Sequence, residues 1–209
     1  MRVLIGCECS GIVREAFRRL GHRAYSCDLK PAEDSQTYHL KGDLLQYIYN
    51  EWDLAIFHPP CTHITVAGAR WFDDPRYPNK RQDQKLAIEF VKTLYNCPIP
   101  KVCIENPVGV LSTQWRKPDQ TIDPFLWGHN HTKKTHLWLK NLPLLEKPDM
   151  MKQPVIETLD SANVLKAKSG FSHGLYSTGG ENKATYRSRT FVNVAYTMAT
   201  QWGGPCGLH

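Results

Sequence analysis

This 209-residue sequence predicts an α/β fold with a mostly parallel sheet and helices on both faces. Three observations carry that prediction. Apolar runs at residues 2–5, 52–57 and 101–104 lack polar alternation, as strands buried on both faces do. Segments of helical period alternate with them. Each run then breaks abruptly, at GCECSG, at HPPC and at ENP.

Taken in order, residues 2–5 form the first strand and residues 6–11 a loop of small residues. Ile12, Val13, Ala16, Phe17 and Leu20 recur at helical spacing until Gly21 stops the helix. Residues 22–29 make a second strand that ends around Asp28, and a polar connection follows. Gly42-Asp43 precedes a short helix at 44–49, and residues 52–57 are the strand that HPPC terminates. A helix fits 81–95, with Leu86, Ile88, Phe90, Val91 and Leu94 as its inward side chains. Residues 101–104 are a strand ending at Glu105-Asn106-Pro107. From 108 to 183 Pro, Gly and His are frequent, so loops facing a substrate are expected there, apart from a strand at 135–139. A last helix covers 192–202.

The length suits one domain spanning 1–209, and 41% hydrophobic with 22% charged residues is ordinary globular composition. No apolar stretch approaches the roughly 20 residues that span a bilayer, and the N-terminal segment reads as a strand rather than a signal peptide. A cytoplasmic protein is expected. Seven cysteines without a CxxC pair argue against structural zinc, and no metal is expected. A net charge of +6 permits a polyanionic partner without demanding one.

Ligands of open α/β sheets bind beyond the carboxyl ends of the strands, and four segments converge on that edge. The loop GCECSG lets backbone N–H groups approach a ligand at a helix N-terminus, although it is not a GxGxxG fingerprint. Asp28 lies about 20 residues beyond that loop, where a ribose acceptor sits in nucleotide-binding sheets; a solvated turn aspartate is the alternative. Asp43 is similar, with a helix N-cap as its alternative. In HPPC two prolines fix an irregular backbone and hold Cys61 at the sheet edge. A cation or helix N-terminus nearby would raise its thiolate content; a buried structural thiol is the alternative. Glu105 ends a buried strand, and desolvation there is expected to raise its pKa so that it keeps a proton near neutrality. A nucleophilic thiol beside a protonatable carboxyl suits addition to an electron-poor ring.

The order LIGCECSG, CDLKP, GDLL, HPPC, IENP resembles the motif order of cytosine carbon-5 DNA methyltransferases. Over nearly its full length the chain is also similar to small, often phage-encoded methyltransferase-like proteins. The resemblance implies a Rossmann-like fold, S-adenosylmethionine as cofactor and nucleic acid, DNA first, as partner. No membrane and no obligate protein partner are implied. It implies Cys61 as nucleophile and Glu105, with Asn106 beside it, as the group that binds and protonates cytosine. Cys7, Glu8, Cys9, Ser10, Gly11, Asp28, Leu29, Asp43, Leu44 and Pro59 would form the cofactor site.

The family's Gln-x-Arg-x-Arg is matched by residues 131–135, where Lys133 keeps a charge and Thr135 replaces the base-contacting arginine. Thr62 stands where glutamine usually follows Pro-Cys. Lys133, Thr135, Arg187 and Arg189 are the expected substrate contacts, the two arginines alternatively forming a solvated basic run. Two rival readings remain: an amino-methyltransferase, and a nucleic-acid-binding or inhibitory module on the same fold. HPPC lacks the polar and aromatic residues of the first, and Thr135 keeps the second open. Trp71, Trp115, Trp127 and Trp138 are expected mainly in the core, with one or two able to stack on a base.

Overall fold

The computed structural model describes residues 1–65, 74–76, 78–127, 133–147 and 190–204. Arg187, Arg189, Trp71 and all of 148–183 lie outside them. Strands β1 (Arg2–Gly6), β2 (Arg23–Asp28), β3 (His39–Lys41), β4 (Leu54–Phe57), β5 (Lys101–Pro107), β6 (Gln120–Ile122) and β7 (Thr135–Lys140) form one sheet. The helices are α1 (Ile12–Arg19), α2 (Lys80–Tyr95), α3 (Leu111–Gln114) and α4 (Val192–Gly203).

The strand order is β3-β2-β1-β4-β5-β7-β6. β1 to β5 pair in parallel, whereas β7 runs antiparallel to both β5 and β6. This is the Rossmann-like α/β architecture that the sequence predicts, closed at one edge by a reversed strand. The order turns back between β1 and β4, the switch point at which such sheets bind ligands.

Alternation along the central strands divides the core into two layers. Ile5, Ile56 and Cys103 face Phe17 of α1 and Met198 and Trp202 of α4. Leu4, Phe57 and Ile104 face Ile88, Val91 and Leu94 of α2, with Trp138 beside them. Fully burying one such side chain contributes about 1.5–3 kcal/mol, so these layers dominate the fold's stability.

Several expectations are corrected. Besides the strand expected at 135–139, which is β7, the described part of 108–147 holds α3, β6 and a 3-10 turn at Pro124–Trp127, and Leu111, Ile122, Trp127 and Trp138 are buried. Trp115 is packed between Tyr95 and Trp138 rather than free to stack on a base. The helix expected at 44–49 is a single 3-10 turn, Leu44–Gln46, capped by the Asp43 carboxylate at 3.0 Å from the Leu45 N–H. Leu86 points to solvent, because the buried stripe of α2 runs through Gln84, Ile88 and Val91. The strand expected to end at Ile104 continues through Glu105, Asn106 and Pro107, since β7 supplies partners for all three.

Candidate active site

β1, β4 and β5 deliver their carboxyl ends side by side. The His58 N–H donates to the Gly6 carbonyl at 2.9 Å, so the HPPC turn starts locked against the end of β1. Gly6 itself has no room for a side chain: a Cβ would lie 2.5 Å from both Leu44 and Phe57.

Beyond Gly6, Cys7 adopts a left-handed conformation, φ 58°. Such a backbone costs a non-glycine residue about 1–3 kcal/mol and tends to occur where a loop is shaped for function. Its thiol sits near the carboxylates of Asp28 and Asp43, and burial together with those charges and Cys27 pushes its pKa far up. Thus the three segments expected to form a cofactor site do meet, and Leu44 closes their floor. Leu29, next to Asp28, is exposed. Asp28 accepts from the Lys30 N–H at 2.9 Å.

The first turn of α1 departs from expectation. Glu8 is buried, and its carboxylate accepts from the Val13 N–H at 2.7 Å, the Arg14 N–H at 3.3 Å and the Ser10 hydroxyl at 3.2 Å. The Ile12 N–H meets the Ser10 oxygen at 3.4 Å. Backbone donors that the sequence offered to a ligand are therefore consumed by an internal cap. Cys9 is drawn aside too: its backbone carbonyl accepts from the Glu33 N–H at 2.8 Å. Behind this loop, buried Arg14 bonds Ser26 at 2.9 Å and pairs with Asp34. A Cβ on Gly11, at φ 73°, would run into that pair.

After β4, Asn106 reaches across from β5 and donates through Nδ2 to the Pro59 carbonyl at 2.7 Å. Two residues on, Cys61 is half-buried at the margin of the α2 layer. Its carbonyl accepts from the Ile64 and Thr65 N–H groups at 3.1 and 3.0 Å, which closes a turn over residues 61–65. The buried Lys80 ammonium donates to the Thr62 carbonyl at 3.0 Å, and Gln84 donates to that of His63, also at 3.0 Å. A cation therefore stands one residue from Cys61. Gly109 presses from the far side, where a Cβ would lie 2.0 Å from the Ile64 oxygen.

On the α1/α4 face, the register Phe57↔Ile104 sets His58 beside Glu105, and their side chains meet at 3.0 Å between Nδ1 and Oε2. Both are largely buried, 8% and 13% exposed. Burial pushes the Glu105 carboxyl up, but the His58 hydrogen bond and charge outweigh it, aided by Lys133 and the Thr135 hydroxyl. Its net position is below the ordinary glutamate value, so the expectation that Glu105 keeps its own proton near neutrality is overturned. The expectation failed because it counted desolvation and left out the partners.

Lys133 and Thr135, expected as substrate contacts, thus both act on Glu105. His58 and Thr190, whose oxygen lies 3.5 Å from His58 Nδ1, were not foreseen as part of this cluster. The odd residue in front of the double proline was the only sequence signal for His58. Among the described residues, no group of three or more His, Cys, Asp or Glu side chains could hold a metal ion. No described helix is long and apolar enough to cross a membrane.

No protein-family model and no curated protein matches the sequence. Among solved structures, the chain is similar to a protein of an E. coli prophage described as a candidate DNA modification methyltransferase. Identity is 14% and the TM-score 0.48, over 72% of this chain and 51% of that one. It is also similar to the Dnmt2 methyltransferase of S. pombe, at 14% identity and a TM-score of 0.43, over 69% and 50%. The chain spans about half the length of both.

Proposed function

We propose that this protein is an S-adenosylmethionine-dependent methyltransferase that modifies carbon 5 of cytosine in nucleic acid, DNA first, through a covalent Cys61 adduct. The observation that carries this reading is the double tie between two strand ends. His58–Glu105 and Asn106–Pro59 hold the turn bearing Cys61 against the strand bearing a buried carboxylate.

The residues present fit the cofactor. Asp28 and Asp43 stand at the ends of β2 and β3, near the Cys7 thiol, where ribose and adenine groups can donate to them. Glu8 already caps α1, so the loop offers little to a pyrophosphate and favours a ligand without phosphates. When bound, S-adenosylmethionine supplies an electrophilic methyl group.

The Cys61 thiolate adds to carbon 6 of the ring, which makes carbon 5 nucleophilic. Glu105 anchors the ring edge, Lys133 adds positive charge beside it, and Asn106 keeps the turn in place. Lys133, with Arg187 and Arg189, would contact phosphate. A base in a duplex must first leave the stack, at a cost of a few kcal/mol.

The test is a DNA duplex carrying 5-fluorocytosine, in which the carbon-5 substituent cannot leave as a proton. The expected result is a covalent complex in the presence of S-adenosylmethionine, absent in Cys61→Ala. Methylation by Cys61→Ala at the wild-type rate would sink the carbon-5 reading. Calorimetry with S-adenosylhomocysteine should show one saturable site, weakened in Asp28→Ala; a preference for a nicotinamide dinucleotide would overturn the cofactor assignment.

A further inference from the structure

We infer that Lys80 is the positioning residue of Cys61: a buried cation that clamps the turn carrying the thiol and favours its thiolate form. This rests on the carbon-5 reading for the use of that thiolate, and adds a residue to it. The inward stripe of α2 runs through Lys80, Gln84, Ile88, Val91 and Leu94. Its apolar members pack on the sheet, whereas the two polar ones hold the turn at 61–65. Lys80 is only 6% exposed. Its ammonium donates to the Thr62 carbonyl at 3.0 Å and to His63 Nδ1 at 3.3 Å, while Gln84 donates to the His63 carbonyl at 3.0 Å. From the far side the Val110 N–H donates to the Ile64 carbonyl at 2.8 Å, so the turn is gripped from both directions.

Neither partner of the ammonium is an anion. Burying a charge is costly, and a carbonyl with a ring nitrogen offsets only part of that cost. Asp83, one turn along α2, lies 3.9 Å from His63 Nδ1, and no described carboxylate forms an ion pair with Lys80. Gly109 and Val110, which press on the turn, carry no charge, and Glu105 is paired with His58. Within residues 61–65, Cys-Thr-His-Ile-Thr, Cys61 is the one side chain that can become an anion. A charge shielded from water is weakly screened, so the ammonium acts on the residue next to the carbonyl it binds. The thiol releases its proton to solvent, and the freed electron pair on sulfur forms the bond to carbon 6. The same pair returns to sulfur when that bond breaks.

The experiment follows alkylation of Cys61 by iodoacetamide against pH, read by peptide mass spectrometry, in wild type, Lys80→Met, Lys80→Arg and Gln84→Met. The wild-type midpoint should lie below the ordinary cysteine value of about 8.5. Lys80→Met removes the charge, so the midpoint should rise by about one unit and labelling at pH 7.5 should slow about tenfold. Lys80→Arg should stay near wild type. Gln84→Met removes a neutral bond of the same clamp and should leave the midpoint in place. A wild-type midpoint at or above about 8.5 overturns the inference without any variant. So does a midpoint that Lys80→Met leaves unmoved, that Lys80→Arg raises as far as Lys80→Met, or that Gln84→Met shifts equally. With 5-fluorocytosine DNA, adduct formation by Lys80→Met should be slow at pH 7.5 and recover at pH 9; no recovery overturns the thiolate role. If wild type shows the low midpoint but forms no adduct at all, the carbon-5 reading falls while the action of Lys80 on Cys61 stands.

Discussion

Asn106 and Pro59 are joined by a buried 2.7 Å hydrogen bond that crosses from β5 to the turn after β4. Asn106 Oδ1, on the same side chain, is buried without a partner among the described residues. Among the described residues the side-chain amide is thus held by this one bond, which satisfies the Pro59 carbonyl.

Asn106→Ala should destabilise the protein by about 1–3 kcal/mol, because the Pro59 carbonyl is left unpaired. Asn106→Asp should cost more, since it places a carboxylate oxygen against that carbonyl. Urea unfolding midpoints read both. Equal stability of the aspartate variant and wild type would show that the latch is not what holds the turn.

His22 should make the fold sensitive to mild acid. It is buried, 5.9 Å from the Phe17 ring, with neither ring nitrogen partnered among the described residues. Burial, and then the charge of the N-terminus, hold its pKa below the ordinary value of 6.5. The unfolded chain therefore binds the proton more readily. Stability is fully present above pH 6.5 and is lost as pH falls from there through the depressed value. His22→Phe should flatten the dependence between pH 7 and 5 in thermal scans. An unchanged slope would place the sensitivity elsewhere.

Cysteine alkylation should single out Cys61. Burial, with Glu33 beside it, pushes Cys9 to about 11. Burial, with Asp28 and Asp43, pushes Cys27 to about 12. Burial raises Cys7, Cys97 and Cys103 as well. In a Cys206→Ser background at pH 7.5, iodoacetamide should label half-buried Cys61 first, and S-adenosylhomocysteine should protect Cys7 further. Peptide mass spectrometry gives the order. Faster labelling at Cys9 than at Cys61 would contradict it.

The central strands and the three long helices were legible because long segments buried on one or two faces carry a period. Three-residue edge strands carry none, so His39–Lys41 read as connection and Gln120–Ile122 as loop. At the site, Cys61 and Glu105 could be singled out because each ends an apolar run. The state of Glu105 could not, because it depends on His58, 47 positions away in sequence. The cap on α1 was hidden for a related reason: Glu8 looks like part of a ligand loop until its carboxylate is seen folding back onto Val13 and Arg14.

Because β7 runs against β5, Thr135 opens it beside Pro107 while Lys140 closes it beside Val102. The same loop insertion would therefore have opposite effects at its two ends. A module spliced just ahead of Lys133 would hang over Glu105 and could read a target sequence. One spliced after Lys140, where Asn141 bonds the Pro100 carbonyl at 2.8 Å, would emerge on the far side of the sheet. Under the proposed function, the polarity of this single strand decides which splice point could carry a DNA-reading module.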